Sequence, residues 1–367
     1  MTFAVASLAA LAAAVAWANG SNDVSKGIAT LIGSGVSNER AAVMWGSAWT
    51  GAGALAAAFA AQGLVATFSG RGFLAEPVVG PSFLAAVAIG AAAWVFFASK
   101  TGLPVSTTHA ITGALAGAAV VAQGAGILHW SYLARWVVLP LALSPVAAIA
   151  LLHAIFPLLR RGLARVDAYC VCVERRSAIL PGGAAALRVV VAEGAVLAAE
   201  EECAASPTVA GRLNVLDGLH WLSSAAASFA RGVNDAPKIV ALGVLSSVGL
   251  GISGVPFYAA IAVAMTAGSL VGGFRVTETL ARRVTRMTPG EGFSANLVTS
   301  LLVSAASLAA LPVSTTHVSS SAIIGIGLHR GARAVAWPTV REMVLAWLVT
   351  LPAAALVAAA AAALLRA

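Results

Sequence analysis

Ten long apolar segments constrain the fold of this chain more than any other feature of its sequence. Several of them reach about 18 residues or more, the length at which a helix crosses a bilayer core of roughly 30 Å. Charged residues are only 10% of the 367 residues, whereas soluble domains hold about 25%. The sequence therefore predicts an all-α integral membrane protein with about ten transmembrane segments. These segments are 3–36, 41–62, 82–99, 103–121, 131–157, 215–248, 254–274, 294–311, 313–329 and 339–365.

The basic residues predict the orientation of the chain. The net charge is +8, but no continuous basic run is interleaved with aromatic residues, so we do not expect nucleic-acid binding. Membrane proteins keep excess arginine and lysine in their cytoplasmic loops. With segment 158–216 inside, the inner loops hold fourteen arginines, and the outer loops and termini hold only Arg71 and Arg366. This predicts a multi-pass protein of the cytoplasmic (inner) membrane whose central segment is cytoplasmic.

Two different motifs occur twice in the same order. Asn-Asp-Val-Ser-Lys, which begins at Asn22, recurs as Asn-Asp-Ala-Pro-Lys at Asn234, a shift of 212 residues. Leu-Pro-Val-Ser-Thr-Thr-His, which begins at Leu103, recurs at Leu311, a shift of 208 residues. Self-similarity at a nearly constant shift indicates a duplicated structural unit. We therefore divide the chain into a first transmembrane repeat (1–157), a polar connecting segment (158–216) and a second repeat (217–367).

Each repeat contains five predicted segments, so the second repeat enters the membrane from the opposite side and is inverted. Segments 82–121 and 294–329 can each be two full spans or one re-entrant hairpin. Both alternatives return the chain to the side from which it came.

The first Asn-Asp motif lies within an apolar stretch that is too long for one simple span. Residues 3–36 would form a helix of roughly 51 Å at about 1.5 Å per residue. Gly, Asn and Asp favour non-helical backbone, so we predict a break at 19–23. Its mate at 231–237 contains Gly232 and Pro237. Matching interruptions in two repeats are typical of a transporter's substrate site, and they predict discontinuous helices here.

Each predicted break holds one acid and one lysine. A charge within the membrane costs at least about 2.5–3.5 kcal/mol, which favours a functional role for Asp23 and Asp235. The simpler interpretation is a local pair with the lysine three residues later, Lys26 or Lys238. Carboxylate, amide and carbonyl oxygens suit a small hard cation. We predict that the two acids hold a coupling cation, and that the lysines either balance them or contact the substrate.

The repeated Pro-Val-Ser-Thr-Thr-His motif predicts the start of a helix, because proline ends the preceding segment and serine or threonine caps the helix after it. Unpaired N–H groups at a helix start attract an anion. Helix packing through hydroxyl groups is the alternative interpretation. His109 and His317 are predicted to support the site through hydrogen bonds. The predicted ligands of an oxyanion are Ser106, Thr107, Thr108, Ser314, Thr315 and Thr316.

Other polar and small residues carry less functional information. The pairs Gly113/Gly117 and Gly268/Gly272 favour close helix packing over phosphate binding. The three cysteines, all in the central segment, are predicted to be free thiols in a reducing cytoplasm. We find no catalytic residues, no cofactor motif and no metal site beyond a possible bound Na⁺, so we do not expect an enzyme.

The sequence resembles the PiT family of inorganic phosphate transporters. The resemblance rests on Gly20-Ser21-Asn22-Asp23, on Gly232-Val233-Asn234-Asp235 and on the two Pro-Val-Ser-Thr-Thr-His motifs. It implies cation-coupled phosphate uptake, inverted repeats and a homodimer, and it adds Asn22 and Asn234 to the expected phosphate ligands. The chain departs from the family pattern at Lys26 and Lys238, where small or amide residues are usual, and at Arg231, where histidine is common. A fixed ammonium could stand in for a bound cation there.

The residues and the resemblance together predict a symporter for inorganic phosphate, driven by Na⁺ or H⁺, in contact with the lipid bilayer. Coupling is needed because anion entry into a negative-inside cell costs about 2.3 kcal/mol per charge per 100 mV. A permease for sulfate or another oxyanion is the first alternative, and an anion channel is the second.

Overall fold

The computed structural model describes residues 2–70, 72–75, 80–180, 187–206 and 209–366. Each of the ten predicted apolar segments overlaps a helix. The first half contains α1 (Thr2–Asp23), α2 (Ser25–Gly33), α3 (Glu39–Ala60), α4 (Gln62–Phe68), α5 (Pro81–Thr101), α6 (Thr107–Gln123), α7 (Trp130–Tyr132) and α8 (Leu139–Val166), with a π-helical stretch Leu133–Val138 joining the last two. The second half contains α10 (Val215–Leu242), α11 (Val244–Gly249), α12 (Val255–Gly272), α13 (Phe274–Arg282), α14 (Pro289–Leu308), α15 (Thr315–Arg330) and α16 (Trp337–Arg366).

Five helical stretches within the described residues are long and apolar enough to cross a membrane: Phe3–Gly33, Pro81–Thr101, Trp130–Val166, Val255–Gly272 and Trp337–Arg366. The pair α3 and α4, bent by 86°, is a sixth candidate. The remaining long helices carry more polar side chains; α10, for example, buries Asn234, Asp235 and Lys238. The protein is therefore a helical, multi-pass membrane protein, and the count of ten spans remains a prediction.

The breaks predicted at the Asn-Asp motifs are largely absent, and this part of the prediction is wrong. Between α1 and α2 only Val24 lies outside a helix, and its backbone angles are still helical (φ −55°, ψ −33°). Helix α10 continues through Asn234 and Pro237 and ends before Gly243. Asn22, Asp23 and Asn234 bond to groups outside their own helix. Asp235 bonds to Asn19 of α1 and to two side chains of α10. These side chains are therefore not engaged in capping a helix end. Proline is tolerated in membrane helices because neighbouring groups compensate for its missing N–H.

The two halves interlock through corresponding helix pairs. Helix α3 of the first half packs on α10, and its mate α12 packs on α1. Likewise α6 packs on α16, and its mate α15 packs on α8. Each half therefore completes its packing on the other half. This exchange is what two copies of one repeat would produce, while their inverted orientation remains a prediction.

Glycines allow these helices to approach closely. A Cβ atom on Gly20 would lie 2.0 Å from the carbonyl oxygen of Met265, and one on Gly113 would lie 2.1 Å from that of Leu351. A Cβ on Gly268 would lie 2.2 Å from the carbonyl oxygen of Trp17. The prediction that Gly113 and Gly268 serve helix packing is therefore confirmed.

The central segment corrects the all-α prediction, because it contains a small antiparallel sheet. Strands β1 (Tyr169–Leu180), β2 (Leu187–Ala199) and β3 (Val209–Asn214) pair in the order β2-β1-β3, and α9 (Glu200–Ala205) follows β2. Cys170 and Cys172 are buried on one face of β1, whereas Val173 on the other face is 39% exposed. This alternation is typical of a half-buried strand.

The prediction of three free thiols is also wrong for two of the cysteines. Cys172 and Cys203 form a disulfide with a Cα–Cα distance of 5.9 Å, and Cys170 is free and buried. The two partners are 31 residues apart in sequence, and pairing at such a distance cannot be deduced from sequence alone. Of the arginines used to predict orientation, Arg71 lies outside the described residues.

Candidate functional site

The two Ser-Thr-Thr-His motifs begin helices, as predicted. The Ser106 side chain accepts a hydrogen bond from the backbone N–H of His109 at 3.2 Å, and Ser314 accepts one from His317 at 3.1 Å. Both serines are N-caps with extended backbone angles. A serine cap leaves other first-turn N–H groups without an intrahelical partner. Helices α6 and α15 thus each offer the donors that an anion requires.

The two helix starts are bonded to each other by reciprocal contacts. Thr108 donates its hydroxyl to the carbonyl oxygen of Val313 at 3.2 Å, and Thr316 donates to that of Val105 at 2.7 Å. All four residues of these two bonds are buried, as are Thr107 and Thr315. Since each helix start carries the positive end of a helix dipole, two of them meeting inside the protein create a place that favours negative charge.

Ser106 and Ser314 are predicted to contribute to stability even in the absence of substrate. Replacing Ser314 with alanine removes the acceptor for the His317 N–H and should cost about 1 kcal/mol, the usual effect of losing an N-cap. The melting temperature of the purified protein in detergent should fall for this variant. Ser300→Ala is a matched control, because the Ser300 hydroxyl donates to the carbonyl of Leu297 within its own helix α14 and does not cap a helix start. Equal melting temperatures for Ser314→Ala and the unmodified protein would contradict the capping role.

The first acid, Asp23, is held by a lysine and a threonine. The Lys26 ammonium lies 2.8 Å from Asp23 Oδ1, and it also donates to Asn22 Oδ1 at 2.7 Å and to the Asn22 carbonyl at 2.8 Å. Thr107 donates its hydroxyl to Asp23 Oδ2 at 3.1 Å. This last bond joins the Asn-Asp motif of α1 to the helix start of α6.

The second acid, Asp235, lies between two cations. The Lys238 ammonium is 3.3 Å from Asp235 Oδ1, and the Arg231 Nε is 3.7 Å from Asp235 Oδ2. Lys238 also donates to the Thr108 hydroxyl at 2.7 Å and to the Val313 carbonyl at 3.2 Å. It therefore contacts both helix starts directly.

Asn19 connects the two acids into one network. Its amide nitrogen lies 2.8 Å from Asp23 Oδ2, 3.1 Å from Asp235 Oδ2 and 3.1 Å from the Thr107 hydroxyl. Its oxygen accepts a bond from Arg231 Nη2 at 3.2 Å. With every group ionised, the three basic and two acidic side chains of the network have a formal net charge of +1, and all five are buried. A buried cluster with surplus positive charge suits an anionic ligand.

Sequence reasoning did not include Asn19 among the site residues, although a signal was present. Asn19 and Arg231 are 212 residues apart, the same shift that relates the two Asn-Asp motifs. They therefore occupy equivalent positions in the two repeats, and they bond to each other within the buried network. Thr50, which accepts a bond from Arg231 Nη1 at 3.1 Å, carried no such signal.

Asn22 and Asn234 hold the turns that precede the two helix starts. Asn22 donates to the carbonyl of Leu103 at 3.0 Å and to Ser99 at 3.2 Å. Asn234 donates to the carbonyl of Val313 at 3.4 Å, and its oxygen accepts from Ser307 at 3.2 Å. Both amides thus fix the turns that place the two helix starts. Direct contact of Asn22 and Asn234 with a substrate remains a prediction.

His109 and His317 face each other behind the helix starts, with ring centroids 4.7 Å apart. His317 Nδ1 lies 3.1 Å from the Leu141 carbonyl, and its ring packs on Trp347. Trp347 donates in turn to the carbonyl of Pro104 at 3.0 Å. His317 thus makes a hydrogen bond of the predicted kind, whereas His109 Nδ1 is buried without a hydrogen-bond partner among the described residues. The supporting role of both histidines stays a prediction. Among the described residues, no group of three or more His, Cys, Asp or Glu side chains could hold a metal ion.

Comparison with known proteins identifies the family of this chain. The model of the phosphate transporter family matches residues 19–358. A protein of Pyrococcus furiosus that is named as a phosphate permease is 29% identical over 94% of this chain and 92% of its own length. Inorganic phosphate transporter 2-1, chloroplastic, of Arabidopsis thaliana is 28% identical over 94% of this chain and 69% of its own length.

A solved structure has the same fold. It is described as the sodium-dependent phosphate transporter, and it superposes with a TM-score of 0.78 at 22% identity, covering 100% of this chain and 99% of that one. The family match extends over both repeats and includes the network and both helix starts. The chain therefore belongs to the phosphate transporter family.

Proposed function

We propose that this protein is a secondary active transporter that moves inorganic phosphate across the cytoplasmic membrane together with a cation, Na⁺ or H⁺. The observation that carries the proposal is the meeting of two helix starts, α6 and α15, beside a buried network of net charge +1. A tetrahedral oxyanion needs several donors and a compensating positive charge. Both are present at one place.

In this proposal phosphate is bound between Ser106–Thr108 and Ser314–Thr316. Lys238 contacts the Thr108 hydroxyl, so its positive charge lies beside the bound phosphate and balances part of the negative charge of the anion. Asn22 and Asn234 set the position of the two helix starts, and His109 and His317 support them. The carboxylates of Asp23 and Asp235 bind the coupling cation.

The remaining features of the proposal concern the whole protein. The central segment lies in the cytoplasm, as the arginine distribution indicates. The second repeat is inverted relative to the first, and two copies of the chain form a homodimer. Alternation between outward and inward access then results from movement of one repeat against the other.

The test is uptake of labelled phosphate by proteoliposomes that contain the purified protein. Uptake should exceed that of protein-free liposomes, and unlabelled phosphate should compete better than sulfate. Thr108→Val removes a hydroxyl at the helix start while preserving shape, so uptake should fall about 10- to 100-fold, the usual range for a hydrogen bond to a charged group.

Thr112→Val is the matched control for that variant, because Thr112 is also buried in α6 but lies one turn away from the helix start. It should leave uptake nearly unchanged. Sulfate uptake that excess phosphate does not reduce would assign the protein to the alternative, a permease for sulfate.

A further inference from the structure

The Lys26 ammonium is enclosed by oxygen atoms of three kinds. A carboxylate (Asp23 Oδ1), an amide (Asn22 Oδ1) and a backbone carbonyl (Asn22 O) lie 2.7–2.8 Å from its nitrogen. Such a set of hard oxygen ligands is what a small metal cation selects. An ammonium has three N–H donors, and here each of them has an oxygen partner. The ammonium therefore uses the whole oxygen set.

Three oxygens also surround Lys238 in the second repeat: the aspartate corresponds to the one beside Lys26, while the other two oxygens belong to the helix starts. The Lys238 nitrogen lies 2.7 Å from the Thr108 hydroxyl, 3.2 Å from the Val313 carbonyl and 3.3 Å from Asp235 Oδ1. Again three oxygens match three donors. The chain contains only three lysines, so two of the three lie in these equivalent buried positions. Either lysine alone could be a local ion pair, but the repetition indicates a shared role.

The charge of the network leads to the same conclusion. Asp23 and Asp235 contribute two negative charges, and Lys26, Lys238 and Arg231 contribute three positive ones. A metal cation is attracted to uncompensated carboxylates, and none remains in this network. Binding Na⁺ would require it to displace a tethered ammonium or to raise a net charge that is already +1, at the cost of its own desolvation.

We propose that the ammonium groups of Lys26 and Lys238 permanently occupy the cation positions of this carrier, so that it binds and moves phosphate without sodium. This inference rests on the proposed function and narrows it, because it excludes Na⁺ as the coupling cation. It also separates this chain from the structural neighbour described as sodium-dependent. In this chain, the positive charge that a phosphate carrier needs beside its anion belongs to the protein and does not dissociate.

The first test measures exchange of labelled phosphate across proteoliposomes that contain phosphate on both sides, with Na⁺ or with N-methylglucamine as the only added cation. Exchange rates should agree within about twofold, since an ion without a site shifts no equilibrium. Exchange that occurs only with Na⁺ would overturn the inference and leave the proposed function intact. Absence of exchange in both media would instead contradict the proposed function.

The second test asks whether the lysine positions are cation positions. Lys26→Ala vacates the oxygen set, so exchange without Na⁺ should fall about 10- to 100-fold, and added Na⁺ should restore part of it. Lys26→Met is the matched control, because its side chain fills the space without a charge, and Na⁺ should not restore exchange. Lys238→Ala and Lys238→Met repeat the comparison in the second repeat. Folded alanine variants that Na⁺ fails to rescue would overturn the inference, and if these variants do not fold, the exchange test on the unmodified protein decides.

Discussion

Replacing Asp235 with asparagine is expected to abolish phosphate uptake. Asp235 is the counter-charge for both Lys238 and Arg231, at 3.3 and 3.7 Å. Its removal raises the net charge of the buried network from +1 to +2. Removing one partner of a buried ion pair typically costs about 3–5 kcal/mol, which corresponds to a loss of roughly 10²- to 4 × 10³-fold in the population of the working state.

The measurement compares uptake and melting temperature for Asp235→Asn with those for the double variant Asp235→Asn, Lys238→Met. The double variant restores the net charge of +1, so its melting temperature should recover. Its uptake should stay low, because the bonds from Lys238 to Thr108 and Val313 are also lost.

Glu39→Gln is the matched control, because it removes the charge of a carboxylate that lies at the protein surface. Its carboxylate pairs with Arg282 at 2.9 Å, and both side chains are largely exposed. Surface ion pairs contribute about 0–1 kcal/mol, so uptake should be unaffected. An Asp235→Asn protein that transports as well as Glu39→Gln would refute the role assigned to Asp235.

Replacing Gly232 with alanine is expected to disrupt the contact between α10 and α3. The added Cβ atom would lie 2.3 Å from the Thr50 carbonyl oxygen and 2.7 Å from the Ala54 nitrogen. Both are backbone atoms of a packed helix, so neither can move away as a flexible side chain would. Overpacking typically costs about 1–3 kcal/mol and occasionally more, and we expect the upper end of that range.

Gly218→Ala provides a control on the same helix. The nearest atom to its added Cβ would be 3.7 Å away, an ordinary van der Waals distance. Since alanine is favoured over glycine within a helix by up to about 1 kcal/mol, this variant should be as stable as the unmodified protein or more so. Melting temperature and the yield of monodisperse protein in detergent measure the difference. Equal values for Gly232→Ala and Gly218→Ala would show that the close approach of α10 and α3 is not required.

These two predictions concern residues that the sequence had already marked, but for reasons that the structure changes. Gly232 was assigned to a break in the helix, and it lies instead at a helix contact. Asp235 was assigned to a cation site, and its carboxylate oxygens contact Lys238 and Arg231. In both cases the sequence singled out the residue. The role of Gly232 depends on the distant Thr50 and Ala54, whereas the two cations beside Asp235 lie three and four residues away in the same helix.

The sequence alone determined the features that depend on local chemistry. Capping of α6 and α15 by Ser106 and Ser314 involves atoms three residues apart, so a short motif specifies it completely. The positions of the helices follow from runs of apolar residues that are long enough to be unambiguous. The duplication is also visible in the sequence, because two motifs recur at nearly the same shift.

Only the tertiary structure decided which groups satisfy the buried polar side chains. Asn19 bonds to residues 88 and 216 positions away, and Thr316 bonds to a carbonyl 211 positions away. Asparagine and aspartate end helices when their side chains bond to their own backbone. Here Asn234 bonds to the Val313 carbonyl, and Asp235 bonds to Asn19 and to side chains of its own helix, so α10 continues through its Asn-Asp motif. The oxygens around the Lys26 ammonium belong to Asn22 and Asp23 of its own motif. Those around Lys238 include groups of Thr108 and Val313, which only the fold brings within about 3 Å of its nitrogen.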